Sequence, residues 1–259
     1  MDSGSCNYNS EAEEDDGSCL TNDCAGECGG LAVVDECGVC DGSGLNEDGC
    51  CGEATTDCTG LCGGPYSDCS VYDIDGNGYT TVTIGTQEWL VQNLKTTKYK
   101  DGSDIPTGYG DPDWGNLSTG AYAVYDDDPA NAEIYGNLYN WHTVNDDRGV
   151  CPEGYHIPTD DEYTGLTDYL GGESIAGGKM KSTGTIEDGD GLWYSPNAEA
   201  TNESGFTALP AGYRFGNSGY YSSMGNNGYF WSSSESSSFD AWYRELHYDY
   251  SYVYRYGTG

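Results

Sequence analysis

Residues 205–256 read GFTALPAGYRFGNSGYYSSMGNNGYFWSSSESSSFDAWYRELHYDYSYVYRY, and this stretch decides the fold of the chain. Tyrosine and tryptophan are interspersed with glycine and serine, a composition typical of strands and turns. From residue 242 onward, a period of two sets an aromatic face against a polar face. The apolar positions of that pattern are Trp242, Leu246, Tyr248, Tyr250, Tyr252, Tyr254 and Tyr256. The pattern predicts the central part of an antiparallel sheet.

The surplus of tyrosine in this segment has two interpretations. In the first, the rings fill and border the core of the sheet. In the second, they form a surface for ligand recognition or assembly, because tyrosine is enriched at protein interfaces. The candidate residues for that surface are Tyr220, Tyr221, Tyr248, Tyr250, Tyr252, Tyr254 and Tyr256.

The chain as a whole is strongly acidic. Its 259 residues carry 44 Asp and Glu against nine Lys and Arg, a formal net charge of -35. Nucleic-acid binding needs cationic side chains that neutralise phosphates, so DNA, RNA and anionic membranes are poor partners. The excess of carboxylates indicates either binding of a divalent cation, for which Ca2+ is the candidate cofactor, or simple solubility.

Twelve cysteines, most of them near the start of the chain, predict disulfide bonds and an oxidising compartment. We therefore expect an extracellular or cell-surface protein. No run of residues is long and apolar enough to insert into a membrane. The cysteines predicted to form disulfides are Cys6, Cys19, Cys24, Cys28, Cys37, Cys40, Cys50, Cys51, Cys58, Cys62, Cys69 and Cys151.

Residues 1–70 are predicted to form a disulfide-stapled repeat region, followed by a second domain at residues 71–259. The first region contains eleven cysteines, no Lys or Arg, and the recurring units DCAGECGG, DECGVCDG and DCTGLCGG. It has few apolar residues for a core, so crosslinks must hold it together. The C-x2-C and C-x3-C spacings also occur in zinc sites, but no His lies nearby, and disulfides are favoured.

The second domain opens with a predicted hairpin around the turn Asp75-Gly76-Asn77-Gly78. Asp73, Asp75 and Asn77 also copy the opening of an EF-hand loop and are weak Ca2+ candidates. The later ligands of such a loop do not follow, so a hairpin turn is favoured.

Two helices are predicted further on. The first covers residues 132–145, where apolar residues recur at helical spacing. The second begins with Thr159 as N-cap and Glu162 three residues later, a capping box, and ends at Gly171-Gly172. Only loops and strands are predicted after it.

Several separate blocks carry a resemblance to a known family. They are TVTIGTQEWLVQNLKTTKY, GNLYNWHTV, CPEGYHIPTDDEYTGL, YLGGESIAGGKMKSTGT, ATNESGFTALPAGYR and YFWSSSE. Together they resemble the Fibrobacter succinogenes major paralogous domain, a family of secreted bacterial modules, from about residue 72 to residue 255. That family looks like the C-type-lectin-like fold shared by the formylglycine-generating enzymes, which implies an α+β domain of two helices and short, irregular, mostly antiparallel sheets. The Cys-rich units resemble thrombospondin type 3 repeats.

The chain departs from the family pattern at its end. The resemblance implies a final strand ending in a cysteine that pairs with the position of Cys151, and here the closing strand is expected to be missing. Cys69 is then the expected partner of Cys151. An incomplete sheet would leave an open edge, which is a template for strand addition by a neighbouring chain.

No enzymatic chemistry is predicted. The formylglycine-generating enzymes use a reactive cysteine pair in the C-terminal half, but no cysteine follows Cys151. His142, His156 and His247 lack metal-ligand spacing, and no G-x-S-x-G motif is present. The E-P-N, Q-P-D and W-N-D signatures of C-type lectins are also absent from the sequence. Asn116 and Asn202 are weak glycosylation candidates by the N-x-S pattern.

These features predict a non-enzymatic extracellular structural protein. In this hypothesis the open, tyrosine-rich edge joins copies of the chain into a surface layer or fibre, so the expected partners are other copies of itself. The alternative is a cell-surface adhesin that binds glycans or surface proteins.

Overall fold

The computed structural model of the chain describes residues 5–8, 20–47, 49–64, 68–237 and 240–258. The chain divides into two units. The first, which we call the repeat unit, comprises Met1–Asp57 and Leu61–Pro65, and the second, the sheet unit, comprises Cys58–Gly60 and Tyr66–Gly259. The domain boundary expected from the sequence, between residues 70 and 71, lies a few residues after this division. The disulfide between Cys58 and Cys69 explains the difference, because it ties both cysteines into the sheet unit.

The repeat unit is built from tight turns that share the pattern Asp/Asn-x-x-Gly. The turns begin at Asp23, Asp35, Asn46 and Asp57. In each turn, a side-chain oxygen of the first residue accepts a hydrogen bond from the backbone N–H four residues later, at 2.8 to 3.0 Å. The glycines of the first three turns have φ values of +83°, +76° and +75°, which glycine adopts without steric cost. The recurring sequence units therefore encode a repeated turn whose side chain caps its own backbone.

Disulfides connect the turns of the repeat unit in succession. The cysteine five residues after the start of each turn bonds a cysteine that precedes that turn in the chain. These bonds are Cys6–Cys28, Cys24–Cys40, Cys37–Cys51 and Cys50–Cys62. Cys19 lies outside the described residues. Apolar side chains are left in solvent, for example Leu31 at 93% exposure, so crosslinks and turn hydrogen bonds replace a core.

The predicted pairing of Cys69 with Cys151 is wrong. Cys69 bonds Cys58, whereas Cys151 has no disulfide partner among the described residues. Cys151 is buried in an apolar cluster with Tyr99 and Val150, and this burial raises the pKa of its thiol to about 12. The thiol therefore stays protonated and packs as a small apolar side chain.

The sheet unit combines short helices with small, mainly antiparallel sheets. Its strands are β1 (Val71–Tyr72), β2 (Gly78–Tyr79), β3 (Thr81–Ile84), β4 (Gln87–Leu90), β5 (Tyr122–Ala123), β6 (Leu138–Tyr139), β7 (Ala211–Arg214), β8 (Tyr221–Met224), β9 (Asn227–Glu235), β10 (Ala241–His247) and β11 (Val253–Thr258). Its helices are α1 (Asp111–Trp114), α2 (Pro129–Tyr135), α3 (Trp141–Val144), α4 (Asp160–Tyr169) and α5 (Glu173–Met180). Among the described residues, no helix has the length and apolar character needed to cross a bilayer.

The largest sheet has five strands in the order β11-β10-β9-β7-β8. Its pairs are antiparallel except β7 with β9, which is parallel. The predicted antiparallel sheet is therefore present in the Tyr-rich segment. The pairs β1–β2, β3–β4 and β5–β6 form separate two-stranded sheets.

The turn between β1 and β2 lies where the sequence predicts a hairpin turn. It begins at Asp73 and repeats the Asp-x-x-Gly pattern of the repeat unit. The Asp73 carboxylate accepts hydrogen bonds from the backbone N–H groups of Asp75 at 3.0 Å and Asn77 at 2.9 Å. Gly76 has a φ of +88°. One local turn therefore serves both units.

The helix predictions have mixed outcomes. The capping box at the start of α4 is confirmed, with the Thr159 hydroxyl and the Glu162 carboxylate each bonded to the other's backbone N–H. The single helix predicted over residues 132–145 is wrong, because the segment contains α2, β6 and α3. Gly136 ends α2 at a φ of +74°, and a Cβ there would lie 2.7 Å from the Leu94 carbonyl oxygen. The expectation of no helix after Gly171-Gly172 is also wrong, since α5 follows directly.

The core of the sheet unit lies between the five-stranded sheet and the helices α4 and α5. Leu246 of β10 and Val253 of β11 pair across these strands and are fully buried in this core. Because paired residues share a face, Tyr254 and Tyr256 lie on the face opposite to Leu246. The prediction of one aromatic face through all the even positions is therefore wrong. The even positions of β10 face the core, whereas the even positions of β11 face away from it, because of the register that the intervening turn sets.

Candidate binding surface

A row of aromatic rings crosses the face of the five-stranded sheet that is turned away from α4 and α5. We call it the aromatic face, and its residues are Tyr213, Tyr229, Trp231, Tyr243, Tyr254 and Tyr256. Ring centroids lie 4.9 Å apart for Tyr213 and Tyr229, 5.8 Å for Tyr229 and Tyr243, and 6.0 Å for Tyr243 and Tyr256. Cross-strand register produces this contact, because Tyr243 lies opposite both Trp231 and Tyr256. The rings pair at tilted or edge-to-face angles, which are favourable geometries.

The turn between β10 and β11 extends the aromatic face to the edge of the sheet. The ring of Tyr252 lies 4.9 Å and that of Tyr250 lies 6.3 Å from the ring of Tyr254. Tyr250 is 51% and Tyr256 is 47% exposed. The Tyr252 hydroxyl donates a hydrogen bond to Glu173 at 3.1 Å, which ties the turn to α5. The edge is therefore ordered yet accessible.

A carboxylate, Glu245, lies at the centre of the aromatic face. Its Oε1 accepts hydrogen bonds from the Asn227 amide and, at 3.3 Å, from the Tyr229 hydroxyl. Its Oε2 accepts none from the described residues. Burial, together with the negative charge of Glu245, raises the pKa of Tyr243 to about 12 and moves the pKa of Tyr229 upward as well. Both phenols are therefore neutral donors at physiological pH.

A cleft of about 1090 Å³ borders the aromatic face. Tyr213, Tyr229 and Trp231 line it from the sheet, and Trp141 and His142 line it from α3. The Trp231 indole N–H donates to the carbonyl oxygen of residue 139 at 2.9 Å, and its ring lies 5.8 Å from that of Trp141. A cleft of this size, lined by aromatic rings together with many polar side chains, is large enough to hold a ligand.

The structure brings together only part of the predicted surface. Tyr250, Tyr252, Tyr254 and Tyr256 cluster at the sheet edge. Tyr221 does not join them, because its hydroxyl donates to Asp127 at 2.6 Å and its ring stacks under Arg214.

The other two predicted tyrosines also lie outside the edge cluster. Tyr248 packs against the main core, and Tyr220 is 64% exposed just before β8. The sequence analysis missed Tyr213, Tyr229, Trp231 and Tyr243 as surface residues. Their signal is the two-residue spacing of Tyr229 with Trp231 and of Tyr243 with Glu245.

The weak Ca2+ candidates do not fit a cation. All the contacts of the Asp73 carboxylate are internal, since Oδ2 accepts from the Tyr79 hydroxyl at 2.7 Å and from the Asn77 amide at 2.8 Å. Asp75 pairs with the Lys98 ammonium at 2.7 Å. Burial opposes ionisation of Asp75, but its bonds to Lys98 and Thr97 lower its pKa overall. Within the described residues, no group of three or more His, Cys, Asp or Glu is placed to hold a metal.

The remaining polar candidates are separate from the aromatic face or already bonded. Asn116 is exposed, whereas the Asn202 amide donates to Thr207 at 3.0 Å. His156 lies 3.0 Å from the Glu162 carboxylate at the start of α4. His247 contacts the Asp249 carboxylate, and His142 is exposed beside the cleft.

The family model described as the Fibrobacter succinogenes major domain matches residues 82–257. This range includes the whole aromatic face and excludes the repeat unit. No curated protein and no solved structure matches the chain.

Proposed function

The chain belongs to the Fibrobacter succinogenes major domain family, and we propose that it is a non-catalytic, extracellular adhesion module whose aromatic face binds a glycan or protein ligand. The observation that carries this proposal is the continuous row of partly exposed rings beside a cleft of about 1090 Å³. Aromatic side chains supply large contact areas at recognition surfaces and lose little conformational entropy on binding.

Two further observations support this proposal. The disulfides of the repeat unit are stable in an oxidising compartment, which favours a secreted or surface location. The Glu162 carboxylate beside His156 also caps the start of α4, so this His–carboxylate pair belongs to the helix start. The C-type-lectin-like topology stays a prediction from the family resemblance, and fold alone would not assign a ligand.

The proposal is tested with arrays of immobilised glycans and extracellular proteins. We expect the wild-type chain to bind a defined subset of either array. A Tyr213→Ala/Tyr243→Ala variant should lose that binding by at least about tenfold, since aromatic anchors carry much of the energy of an interface.

The matched control is Tyr169→Ala, which removes a tyrosine that is 66% exposed on α4. It should bind as the wild type does. Near-ultraviolet circular dichroism must show that each variant is folded. Unchanged binding by the double variant, or an equal loss in the control, would count against the aromatic face as the site.

Self-assembly is a second candidate function, favoured by the position of β11. This strand is the last of the five-stranded sheet, and within the described residues no strand pairs with its outer side. An unpaired edge is a template for strand addition by a second copy. The net charge of -35 opposes association, so assembly should increase with salt or Ca2+. Light scattering and electron micrographs in about 10 mM Ca2+, which screens the acidic surface, test this function. A chain that stays monomeric and forms no filaments under these conditions would exclude it.

A further inference from the structure

Each of the four arginines of the chain is held in the same way, between an aromatic ring and a carboxylate. The distances from guanidinium carbon to ring centroid are 3.6 Å for Arg148 over Tyr99, 4.5 Å for Arg214 over Trp114, 5.4 Å for Arg244 over Tyr163 and 3.4 Å for Arg255 over Trp242. The paired carboxylates are Asp146 at 2.7 Å, Asp111 at 3.3 Å, and Asp160 at 2.8 Å from Arg244 and 2.7 Å from Arg255. The chain thus provides its own internal template for guanidinium binding.

The aromatic face repeats this arrangement without the cation. Glu245 lies opposite Tyr229 on β9 and opposite Tyr254 on β11, and Tyr243 precedes it by two residues on the same face. Its Oε2 accepts no hydrogen bond from the described residues, and the surrounding rings are partly exposed. The ring and carboxylate components are therefore both present around an available acceptor.

Within the described part of the chain, no lysine or arginine supplies the missing cation. Arg244 and Arg255 belong to β10 and β11, but they pair with Asp160 on the opposite face. Arg148 and Arg214 bond to Asp146 and Asp111. The five lysines, Lys95, Lys98, Lys100, Lys179 and Lys181, all donate to other described groups. A second copy of this chain is a poor donor for the same reason.

We propose that the aromatic face around Glu245 binds an arginine side chain of a different, extracellular protein. This inference rests on the proposed function and names the chemistry of the ligand. A guanidinium group is planar and weakly hydrated, so it stacks on phenol rings while donating to a carboxylate. The compact ammonium group of lysine is more strongly hydrated and gains less from such a site. The net charge of -35 draws a cationic partner to the surface.

The direct test compares two short fluorescent peptides, identical except that one carries arginine and the other citrulline. Citrulline keeps the planar shape of the side chain, but a carbonyl oxygen replaces one nitrogen of the guanidinium group, so the charge and two N–H donors are lost. Using the full chain, we expect the arginine peptide to bind with a dissociation constant on the order of 1 mM. The citrulline peptide should bind at least about tenfold more weakly in fluorescence anisotropy.

Glu245→Gln tests the carboxylate itself. Glutamine retains an Oε1 acceptor for Asn227 and Tyr229, so the sheet should fold as before. We expect this variant to bind arginine about tenfold more weakly and to lose the preference over citrulline. Asp168→Asn is the matched control, because it removes one negative charge from an exposed position of α4. It should change the arginine affinity less than about twofold.

Three outcomes would overturn the inference: equal affinity for the two peptides, wild-type affinity in Glu245→Gln, or an equal loss in Asp168→Asn. The first would show that the charge of the arginine is not recognised, and the second that the charge of Glu245 does not contribute to binding. The third would show that only the net charge of the chain acts. The array experiment separates this failure from that of the proposed function. If array ligands are lost in Tyr213→Ala/Tyr243→Ala but kept in Glu245→Gln, the aromatic face is a binding site for another ligand.

Discussion

The repeat unit and the sheet unit use the same local turn but are stabilised by different forces. In the repeat unit, Asp/Asn-x-x-Gly turns follow one another, disulfides join them, and apolar side chains such as Leu31 remain in solvent. In the sheet unit, the turn at Asp73 joins two short strands, and burial of residues such as Leu166 and Leu246 stabilises the fold. The comparison teaches that a turn sets local geometry, whereas crosslinks or a core supply the stability.

Reduction of the disulfides should separate the two units most strongly. The four bonds of the repeat unit close loops with sequence separations of 22, 16, 14 and 12 residues. Loops of this size each contribute roughly 3 kcal/mol, and no core compensates for their loss. We expect the repeat unit to become protease-sensitive while the sheet unit stays resistant.

Limited proteolysis with mass spectrometry measures this difference. Trypsin is unsuitable because no Lys or Arg precedes Lys95, so a protease that cuts after Glu is needed. A Cys58→Ser/Cys69→Ser variant, kept under oxidising conditions, is the control, because it removes the Cys58–Cys69 disulfide of the sheet unit and leaves the repeat unit crosslinked. If residues 20–64 resist the protease as well after reduction as before it, the comparison between the two units would be contradicted.

In the sheet unit, Asp160→Asn should have the next largest effect. Asp160 binds Arg244 at 2.8 Å and Arg255 at 2.7 Å, which ties the start of α4 to β10 and β11. Because the Arg244 side chain is only 2% exposed, loss of its counter-charge should lower the free energy of unfolding by about 3 kcal/mol. Denaturant unfolding checks this value. Asp161→Asn, at the exposed neighbouring position, should cost less than about 0.5 kcal/mol.

Asp160→Asn also tests how the stability of the sheet unit depends on pH. The bond to Arg255 lowers the pKa of Asp160 below its ordinary value. Its stabilising contribution is therefore present above the unfolded-state pKa of about 3.9 and is lost as pH falls through the lower folded-state pKa. Between about pH 5 and about pH 2, the range in which Asp160 takes up its proton, the free energy of unfolding should fall more in the wild type than in Asp160→Asn. Parallel acid-unfolding curves for both proteins would disprove this linkage.

The smallest effects should distinguish the shared turn in its two settings. Asp73→Ala removes the acceptor of two backbone N–H groups and of the buried Tyr79 hydroxyl, so we expect global destabilisation of about 2 kcal/mol. Asp35→Ala should instead increase hydrogen exchange locally, at the amides of Val39 and Gly44. Asp35→Asn is the mild control, since asparagine already occupies the equivalent position at residue 46. If Asp73→Ala and Asp35→Ala lowered the global stability of the protein equally, this distinction between the two units would be wrong.

The parts of the fold that were predicted correctly depend on neighbouring residues in the chain. The α4 capping box needs only Thr159 and Glu162, three residues apart, and the turn at Asp73 needs one carboxylate and one glycine. The helix expected over residues 132–145 failed because apolar spacing does not report the close approach of Gly136 to the Leu94 carbonyl oxygen. The Cys69–Cys151 pairing failed because it rested on the odd count of eleven cysteines in residues 1–70, whereas Cys69 bonds Cys58, which is nearer in the chain.

The candidate site shows the same division. A recognition surface was one of two interpretations of the abundance of tyrosine in residues 205–256, and the predicted residues Tyr250 to Tyr256 cluster at the edge of the aromatic face. Tyr229, Tyr243 and Glu245 become neighbours only through the register of β9, β10 and β11. Alternation along one strand cannot specify which residues of other strands lie opposite.

By itself, the sequence determined what short-range chemistry controls: the Asp/Asn-x-x-Gly turns, the need for crosslinks where apolar residues are scarce, the start of α4 and the strongly acidic surface. The tertiary structure alone decided which cysteines pair, which face of the sheet each tyrosine occupies, and that Glu245 lies among three tyrosines with an available oxygen. The physical reason is that turns and caps form within a few residues, whereas register, parity across a turn and burial depend on contacts between distant segments that compete for one core.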